Sequence, residues 1–377
     1  MKIENPRVVA ICTVGELFGG VERHVLGAMT ALRALGIQPL LLLFHDGELA
    51  AQARRDGVEP VILPASNIKL PSTSRAIADI LRTRDVRLVH AHGYKAMVFV
   101  AAARRLHRFC VVKTEHGLPE AMSGRPVSVL RDRSYHLLDR VATRATRAFV
   151  CYVTDELRRH YDRAQTGYGE IVVANGITAP DRRTLRRPQE FHEHRFNLII
   201  IGRLDSVKGH EVAIGAIAHL GAAADVDLHI VGTGPREAAL RDQAISAGVA
   251  DRVHFLGFRR NIFDFMAFAD ALLMPSMHEG LPYTLLESMG LGLPIIASNV
   301  GGLKEVLEHE VNALLVQPRD VDGFAHAISR IRAEPDLRRR LGENARRLQE
   351  TDYSLLAMME KYLNVYRQCL GAMSVRS

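Results

Sequence analysis

LIIIGRLDSVKGHEVAIGAI, residues 198–217, is the stretch of sequence that decides the fold. Its first four residues are apolar, which is typical of a buried strand, and the glycine-rich, charged run that follows is typical of a loop. The apolar residues of 212–217 then indicate a helix. A strand that passes through such a loop into a helix is the building unit of a parallel α/β sheet.

The same alternation continues on both sides of this stretch. Short apolar runs are separated by longer amphipathic ones, and this order predicts two parallel sheets, each covered by helices on both faces. The predicted strands are Val8–Cys12, Pro39–Phe44, Val58–Leu63, Leu88–Ala91, Cys110–Thr114, Ala148–Tyr152 and Ile171–Ala174 in the first half, and Leu198–Ile201, Leu228–Val231, Val253–Leu256, Ala271–Met274, Ile295–Ala297 and Ala313–Val316 in the second.

The length of 377 residues suggests two domains rather than one. The polar, arginine-rich residues 181–195 lack apolar periodicity and are interpreted as a linker between domains of residues 1–180 and 196–350. Residues 351–377 predict a closing helix from about Ser354 to Leu370. Two doubly wound domains suggest a ligand in the cleft between them, at the carboxyl ends of the strands.

Composition excludes several protein classes. No run of 18 apolar residues is present, so no transmembrane helix is predicted, and the short polar start does not resemble a signal peptide, which makes the cytoplasm the default compartment. None of the four cysteines stands in a CxxC spacing, and three lie in strand-like runs, so neither a disulfide framework nor a zinc site is expected.

The net charge of +7 is unevenly distributed. Residues 100–150 hold ten lysines and arginines against four acidic residues. Such a basic region is either a solvated helix face or a surface for nucleic acid, an anionic membrane or a phosphorylated substrate. For Arg125 to Arg147 we favour docking on an anionic membrane near a lipid-linked acceptor.

A pair of carboxylates follows the predicted strand that ends at Met274. Glu279 lies on the loop after it, and Glu287 lies on a helix expected to begin near Leu281. Eight helical residues span ~12 Å, about the reach of one extended nucleotide sugar. Carboxylates accept hydrogen bonds from sugar and ribose hydroxyls, and Gly280 lets backbone N–H groups approach a diphosphate. Taken alone, this pair is better explained as a helix start with an acidic first residue and a solvated Glu287.

Two cations lie in the loop of the opening stretch. Arg203 and Lys208 are suited to holding a leaving diphosphate and to stabilising the charge that grows as a glycosidic bond breaks. The loop lacks both GxxxxGK[ST] and GxGxxG, so it is neither a P-loop nor a dinucleotide fingerprint. An ordinary basic loop is the alternative reading.

Glycines and histidines mark the ends of first-half strands. Residues 15–20 form a glycine-rich first turn, which either faces phosphate or is simply a tight turn. His90, His92 and His116 follow or end strands, but residues two apart on a strand share a face in any case. No third convincing ligand is evident, so no metal site is expected. The sequence Asp225-Val226-Asp227 opens a strand and is interpreted as structural.

Together these segments resemble the family-4 retaining glycosyltransferases, which have the GT-B fold of two Rossmann-like domains facing across a cleft. The ordered set is far more specific than any one motif, and it runs through almost the whole chain. The segments are GGVERH (19–24), VKTEHG (112–117), NGI (175–177), GRL with KG (202–204 and 208–209), VGTGP (231–235), FLGF (255–258), EGLP through the second glutamate (279–287) and VGGLKE (300–305).

The resemblance implies a role for each matching residue and a retaining hexosyl transfer that needs no cofactor and no metal. The closing helix would pack back on the first domain. The donor would be a nucleotide sugar and the acceptor a saccharide or lipid-linked saccharide, in cell-surface polysaccharide or glycolipid synthesis. The implied catalytic residues are His116, Glu279, Arg203 and Lys208, and the implied donor-binding residues are Gly19, Gly20, Arg203, Lys208, Phe258, Glu279, Gly280, Leu281, Thr284 and Glu287.

Several alternatives stay open at this point. A UDP-sugar is favoured as donor, with GDP-mannose and a mannosyltransferase as the alternative. An epimerase or phosphorylase of the same fold would share the cleft but not this ordered set of segments. A catalytically silent sugar-nucleotide binder is a further alternative, although the presence of Arg203, Lys208, Glu279 and Glu287 argues against it. A nucleic-acid binder would explain the charge, but no nucleic-acid motif is found, and nucleic acid is not expected as a partner. Composition makes the cytoplasm the default compartment, and the basic region suggests attachment at the inner face of a membrane.

Overall fold

A computed structural model describes residues 5–16, 19–63, 70–117, 126–161, 168–221 and 224–374, with only the backbone described for residues 126–133 and 374. These residues divide into two units. One holds residues up to Gly176 together with the closing residues from Leu355, and the other holds Ile177–Ser354.

The first unit is built on a seven-stranded parallel sheet of order β3-β2-β1-β4-β5-β6-β7. The order of elements is strictly alternating, as predicted. The elements are β1 (Val8–Thr13), α1 (Gly20–Ala34), β2 (Gln38–Leu43), α2 (Glu48–Arg55), β3 (Val61–Ile62), α3 (Leu70–Thr83), β4 (Leu88–His92), α4 (Tyr94–Ala103), β5 (Cys110–Glu115), α5 (Pro126–Thr146), β6 (Phe149–Tyr152), α6 (Asp155–Tyr161) and β7 (Gly169–Val172).

The second unit has a six-stranded parallel sheet of order β10-β9-β8-β11-β12-β13. A single 3₁₀ turn at Arg182–Thr184 precedes it. The elements are β8 (Phe196–Ile201), α7 (His210–His219), β9 (Val226–Val231), α8 (Glu237–Ser246), β10 (Val253–Gly257), α9 (Ile262–Phe268), β11 (Ala271–Met274), α10 (Tyr283–Gly290), β12 (Ile295–Ser298), α11 (Leu303–Val306), β13 (Leu314–Val316), α12 (Val321–Ala333) and α13 (Pro335–Asp352).

Burial on both faces of each sheet explains why the strands read as continuous apolar runs. In β1, Val9 and Ile11 face one hydrophobic cluster, whereas Ala10 and Cys12 face another. The last helix, α14 (Leu355–Ser374), packs in the first of these clusters and contacts α1 and β5. The predicted α/β fold of two doubly wound units is therefore confirmed. All four cysteines are buried and free.

The stretch expected to be a linker is part of the second unit. Arg182 donates to the carbonyl oxygen of Ala267, and Arg195 donates to the buried carboxylate of Asp227 at 2.7 Å. The side chain of His192 lies 2.7 Å from the same carboxylate. The absence of apolar periodicity was interpreted as a linker, but Arg182, His192 and Arg195 are held by specific partners in the second unit. Asp227 therefore has a structural role, as expected.

Candidate functional site

In the second sheet, the order in which strands are added reverses between β8 and β11. The candidate donor site lies at this point. The chain leaves β8 toward β9 on one side, whereas β11 continues toward β12 on the other. The loops of residues 202–209 and 275–282, which follow these two adjacent strands, therefore meet at the carboxyl edge of the sheet. In doubly wound folds a crevice at such a switch point is where ligands bind.

The first of these loops is shaped by Asp205, a residue that sequence reasoning did not single out. Its carboxylate accepts hydrogen bonds from Arg203 Nε at 2.8 Å and from the backbone N–H groups of Val207 and Lys208. Burial raises the pKa of Asp205, but these hydrogen bonds outweigh it and the pKa is lowered overall. Asp205 is thus held as an anion that orients the guanidinium of Arg203, whose side chain is 67% exposed.

The second loop presents Glu279 directly to the first. Lys208 Nζ lies 2.6 Å from Glu279 Oε1, and Ser276 Oγ donates to the same oxygen at 2.8 Å. The Glu279 side chain is only 8% exposed, so this pair is largely removed from water. The backbone N–H of Met277 also donates to the carbonyl oxygen of Val207 at 2.7 Å. These hydrogen bonds join the two loops into one continuous rim, and Ser276 is a second candidate site residue that was not evident from the sequence.

Glycines make the close packing of this rim possible. Gly209 precedes α7 with φ of +67°, and a Cβ there would lie 2.0 Å from the carbonyl oxygen of Pro275. Gly232 has φ of +141°, and a Cβ there would lie 1.9 Å from the carbonyl oxygen of Gly202. Any side chain at either position would separate the loops, which explains the glycines in the KG and VGTGP segments.

The helix after Glu279 begins two residues later than expected, at Tyr283 rather than near Leu281, because Pro282 is its extended N-cap. Glu287 therefore lies in the second turn of α10, where it is only 4% exposed. The solvated alternative for this carboxylate is wrong. The other predicted donor residues lie around this helix start: Gly280 and Thr284 half-buried, and Leu281 buried.

Phe258 follows β10 at the same edge of the sheet. Its side chain is 72% exposed, an unusual position for a large apolar ring. The preceding Gly257 has φ of +67° and turns the chain out of the strand. The structure thus brings Arg203, Lys208, Glu279, Glu287 and Phe258 to loops and helix starts at one edge of a single unit.

In the first unit, a side chain of the protein, that of Glu22, caps the glycine-rich turn. The chain enters α1 through Gly19 and Gly20, and the backbone N–H of Gly19 donates to Glu22 Oε2 at 2.9 Å. A carboxylate near a helix N-terminus satisfies backbone donors that a phosphate would otherwise bind. This geometry supports the reading of residues 19–20 as a turn that starts α1.

His116 directly follows β5 and belongs to a cluster of histidines. Its Nε2 lies 2.9 Å from Nδ1 of His92, at the end of β4. His24, on α1, lies against both rings, with centroids 4.7 Å from His116 and 5.3 Å from His92. No third ligand was evident beside His90 and His92 in the sequence, and the structure brings His24 and His116 next to His92. The only sequence signal for His24 was its place at the end of the GGVERH segment.

Burial is the main influence on the pKa values of these imidazoles. It lowers the pKa of His24 to about 4 and holds the pKa values of His90, His92 and His116 well below the usual range. Proximity of the rings to one another lowers the pKa values of His90, His92 and His116 further. The four side chains are therefore neutral at pH 7.

The basic region expected to meet a membrane is only partly described. Arg125 and the side chains of Arg131 and Arg133 lie outside the described residues. On the described part of α5, three large apolar side chains are exposed beside Arg140 and Arg144: Leu137 at 60%, Leu138 at 52% and Val141 at 55%. Within the described part of the chain, no helix is long and apolar enough to cross a bilayer.

Comparison with known families accounts for both units. Residues 18–177 match the family described as Glycosyltransferase Family 4, and residues 181–348 match Glycosyl transferases group 1. A lipopolysaccharide core biosynthesis glycosyltransferase, LpsD of Rhizobium meliloti, is 34% identical over 196 residues, which cover 52% of this chain and 56% of LpsD. The chain thus spans about half the length of that relative.

Two further proteins resemble the chain over a greater length. N-acetyl-alpha-D-glucosaminyl L-malate synthase of Bacillus anthracis is 24% identical over 78% of each chain. The solved structure of Anabaena Alr3699/HepE in complex with UDP superposes with a TM-score of 0.81 at 20% identity, and covers 95% of this chain and 99% of that one. At that identity the superposition shows the fold alone, which is the GT-B fold.

Proposed function

Because the chain belongs to the group 1 glycosyltransferases, we propose that it transfers a hexose from a UDP-sugar to a saccharide or lipid-linked acceptor, with retention of anomeric configuration. The observation that carries this proposal is the convergence of two cations and two buried carboxylates at the switch point of the second sheet. The likeness to LpsD supports a role in lipopolysaccharide or other polysaccharide synthesis.

The cations fit the leaving group of this reaction. Arg203 is exposed and oriented by Asp205, and Lys208 needs only to exchange Glu279 Oε1 for a phosphate oxygen. When the bond between the anomeric carbon and the phosphate oxygen breaks, negative charge grows on the diphosphate. Two fixed cations stabilise that charge more in the transition state than in the ground state, which is the requirement for catalysis. The proposed reaction needs no metal and no cofactor.

The carboxylates fit the sugars of the donor. Glu279, released by Lys208, accepts a hydrogen bond from a hydroxyl of the transferred hexose, and Ser276 keeps its carboxylate in place. Glu287, buried in the second turn of α10, accepts from the ribose. Gly280, Leu281 and Thr284 line the helix start that meets the diphosphate. Of these contacts, the one between Glu279 and the hexose distinguishes a sugar nucleotide from a free nucleotide.

The acceptor reacts on the face from which the diphosphate leaves. Its hydroxyl oxygen bonds to the anomeric carbon while its proton passes to the departing phosphate oxygen, so the products are the new glycoside and UDP. We assign His116 the role of contacting the transferred sugar through a neutral imidazole, and Phe258 that of packing on the base. UDP is favoured as the nucleotide, and the UDP complex of Alr3699/HepE supports this choice.

The test is turnover with a panel of UDP-sugars and GDP-mannose, offered with simple glycosides and membrane glycolipids. We expect nucleoside diphosphate release from one donor, and an α-linked product from an α-linked donor by proton NMR. Lys208→Met and Glu279→Gln should each lower kcat by at least about tenfold, the equivalent of ~1.4 kcal/mol. Arg339→Ala, which removes an exposed arginine of α13, is the matched control and should not.

Three outcomes would redirect the proposal. Turnover of GDP-mannose alone would make the protein a mannosyltransferase. A product whose anomeric configuration is opposite to that of the donor would refute the retaining mechanism. Donor binding without turnover of any donor would favour a silent sugar-nucleotide binder.

We also propose that α5 docks on an anionic membrane surface, which would hold a cytoplasmic enzyme at the inner face. Leu137, Leu138 and Val141 are exposed beside Arg140 and Arg144, the pairing of apolar and basic side chains that interfacial helices use. Sedimentation with phosphatidylglycerol vesicles should carry the protein down, and Leu138→Glu should reduce this. Equal binding to neutral phosphatidylcholine vesicles would contradict the proposal.

A further inference from the structure

Three histidines of the first unit are arranged as a set of metal ligands. One ring nitrogen from each of His24, His92 and His116 lies within 4.8 Å of those of the other two. The three residues come from different elements: α1, the end of β4 and the turn after β5. Since β1, β4 and β5 are neighbours in the sheet, the fold itself brings these elements together at their carboxyl ends. Sequence spacing alone could not show this.

The hydrogen-bond partners of His24 fix which of its ring nitrogens could bind a cation. Asn175 Oδ1 lies 3.0 Å from His24 Nδ1, and because a carbonyl oxygen only accepts, the proton of His24 must be on Nδ1. Its Nε2 therefore carries a lone pair, and it lies 3.2 Å from the hydroxyl of Tyr362. A metal-binding histidine in proteins almost always donates its other N–H to such an acceptor.

His92 supplies the second independent observation. Its Nδ1 faces His116 Nε2 at 2.9 Å, so these two nitrogens share one proton. Its Nε2 is buried and has no hydrogen-bond partner among the described residues, and the side chain is only 1% exposed. A buried polar atom without a partner is costly, and coordination of a metal ion through Nε2 of His92 would relieve that cost.

His90 shows the contrast within the same cluster. Both of its ring nitrogens are engaged, Nδ1 with the hydroxyl of Tyr366 at 2.8 Å and Nε2 with Thr114 Oγ1 at 2.7 Å. It is thereby held out of the ligand set, although its ring centroid is 4.3 Å from that of His92. The cluster thus consists of three potential ligands and one structural histidine.

We propose that His24, His92 and His116 bind a divalent late transition-metal ion such as Zn²⁺ or Co²⁺, with a fourth position open to water. Three imidazoles and an open position form a known ligand set for Zn²⁺. Ligation requires neutral imidazoles, and burial provides them at pH 7. With bonds of ~2.0–2.1 Å, tetrahedral ligand nitrogens lie about 3.4 Å apart. The three ligand nitrogens lie within 4.8 Å of one another, so side-chain rotations would bring them to this spacing.

Metal binding would have a consequence for transfer, and this part rests on the proposed function of His116. An imidazole that ligates the ion cannot contact the transferred sugar. The metal is therefore an inhibitor rather than a cofactor, and the reaction proceeds only when the three histidines hold none.

The test is titration of the metal-free, untagged full chain with Co²⁺, followed by the visible absorption bands of tetrahedral Co²⁺. We expect one equivalent per chain, displaced by Zn²⁺. His24→Gln and His92→Gln should each weaken binding at least tenfold. His90→Gln, from the same cluster, should retain the bands, and circular dichroism should show all variants folded.

A second group among the described residues, His192, Asp227 and His254, provides the decisive control. His254→Gln should leave the Co²⁺ spectrum unchanged. Loss of the spectrum in His254→Gln but not in His92→Gln would overturn the proposal, as would the absence of tetrahedral bands in the wild type.

Turnover separates the metal site from the proposed function. Zn²⁺ should inhibit the wild type, whereas His24→Gln should be insensitive to Zn²⁺ relative to its own metal-free rate. One equivalent of bound Co²⁺ without inhibition by Zn²⁺ would support the site and refute the proposed role of His116. Inhibition without a His24-dependent spectrum would refute the site.

Discussion

The histidine cluster makes the first unit sensitive to mild acid. The native state holds His24, His90, His92 and His116 neutral because burial lowers their pKa values, whereas in the unfolded chain a histidine titrates near pH 6.5. Unfolding therefore takes up protons below that pH, and acid favours the unfolded state. The stability at issue is present above about pH 6.5 and is lost as the pH falls toward the lowered native pKa values.

The expected loss of unfolding free energy follows from the number of histidines that take up a proton on unfolding. Each histidine that is protonated only on unfolding contributes about 1.4 kcal/mol per pH unit, so the four contribute up to ~5 kcal/mol between pH 6 and 5. The pKa of Asp139 is raised, first by burial and also by Glu115, and this acts in the opposite direction. It offsets at most one histidine. Such a loss is comparable to the whole stability of many domains, ~5–15 kcal/mol.

Hydrogen exchange followed by mass spectrometry measures the pH dependence of stability in each unit separately. Peptides from β4 and β5 should lose opening free energy steeply between pH 6 and 5, after correction for intrinsic exchange rates. Peptides from β11 and β12 should lose less, because the second unit holds only two histidines of lowered pKa among its described residues, His210 and His229. The raised pKa of Asp270 offsets one of those.

The double variant His24→Gln, His92→Gln is the matched control, since it removes two of the four titrating groups. Its β4 and β5 peptides should show about half the wild-type slope. Equal slopes in the two units, or a wild-type slope in the double variant, would refute the assignment of acid sensitivity to this cluster.

Two substitutions test the packing that supports the two sites. Gly209→Ala should destabilise the second unit by more than about 2 kcal/mol in urea unfolding, because its Cβ would meet the carbonyl of Pro275, whereas Gly248→Ala, at φ of +69° with open space, should cost only ~1 kcal/mol; equal costs would contradict the steric argument. Lys113→Met should cost ~3–5 kcal/mol in the first unit, because it leaves the buried carboxylate of Asp139, together with the nearby carboxylate of Glu115, without its ammonium partner. Restored stability in Lys113→Met with Asp139→Leu would confirm that reason, and no restoration would contradict it.

Apolar patterning was sufficient to predict the sheets. Every predicted strand is present in the structure, because strands buried on both faces must be apolar throughout. The ends of some elements differ from the predicted ends, because the side-chain pattern carries little information about where a strand or helix stops. Of the predicted Val58–Leu63 only Val61–Ile62 pairs, at the edge of the sheet, and α14 extends to Ser374 rather than to about Leu370.

The candidate donor site was predictable as a set of residues but not as a geometry. Chemistry and spacing drew attention to Arg203, Lys208, Glu279 and Glu287, and the family resemblance gave each of them a proposed role. That Lys208 pairs with Glu279 depends on the adjacency of β8 and β11, which are separated in the chain by the whole α7–α9 segment.

The partners that position these groups were missed for a similar reason. Asp205 and Ser276 are common loop residues, and only their contacts give them a role. His24 was missed because a lone histidine on an amphipathic helix carries no signal of a site. Its candidate role becomes evident only from the topology, which brings α1 beside the ends of β4 and β5.

The central claim is that the loops after β8 and β11 bind a nucleotide diphosphate, and calorimetric titration with UDP and with GDP tests it most directly. The wild type should bind one of them. The double variant Arg203→Ala, Lys208→Ala should lose at least about a hundredfold in affinity, since each charged contact is worth ~1.5–3 kcal/mol, while Arg339→Ala should bind as the wild type does. Unchanged affinity in a folded double variant, or binding of neither nucleotide by the wild type, would contradict the account.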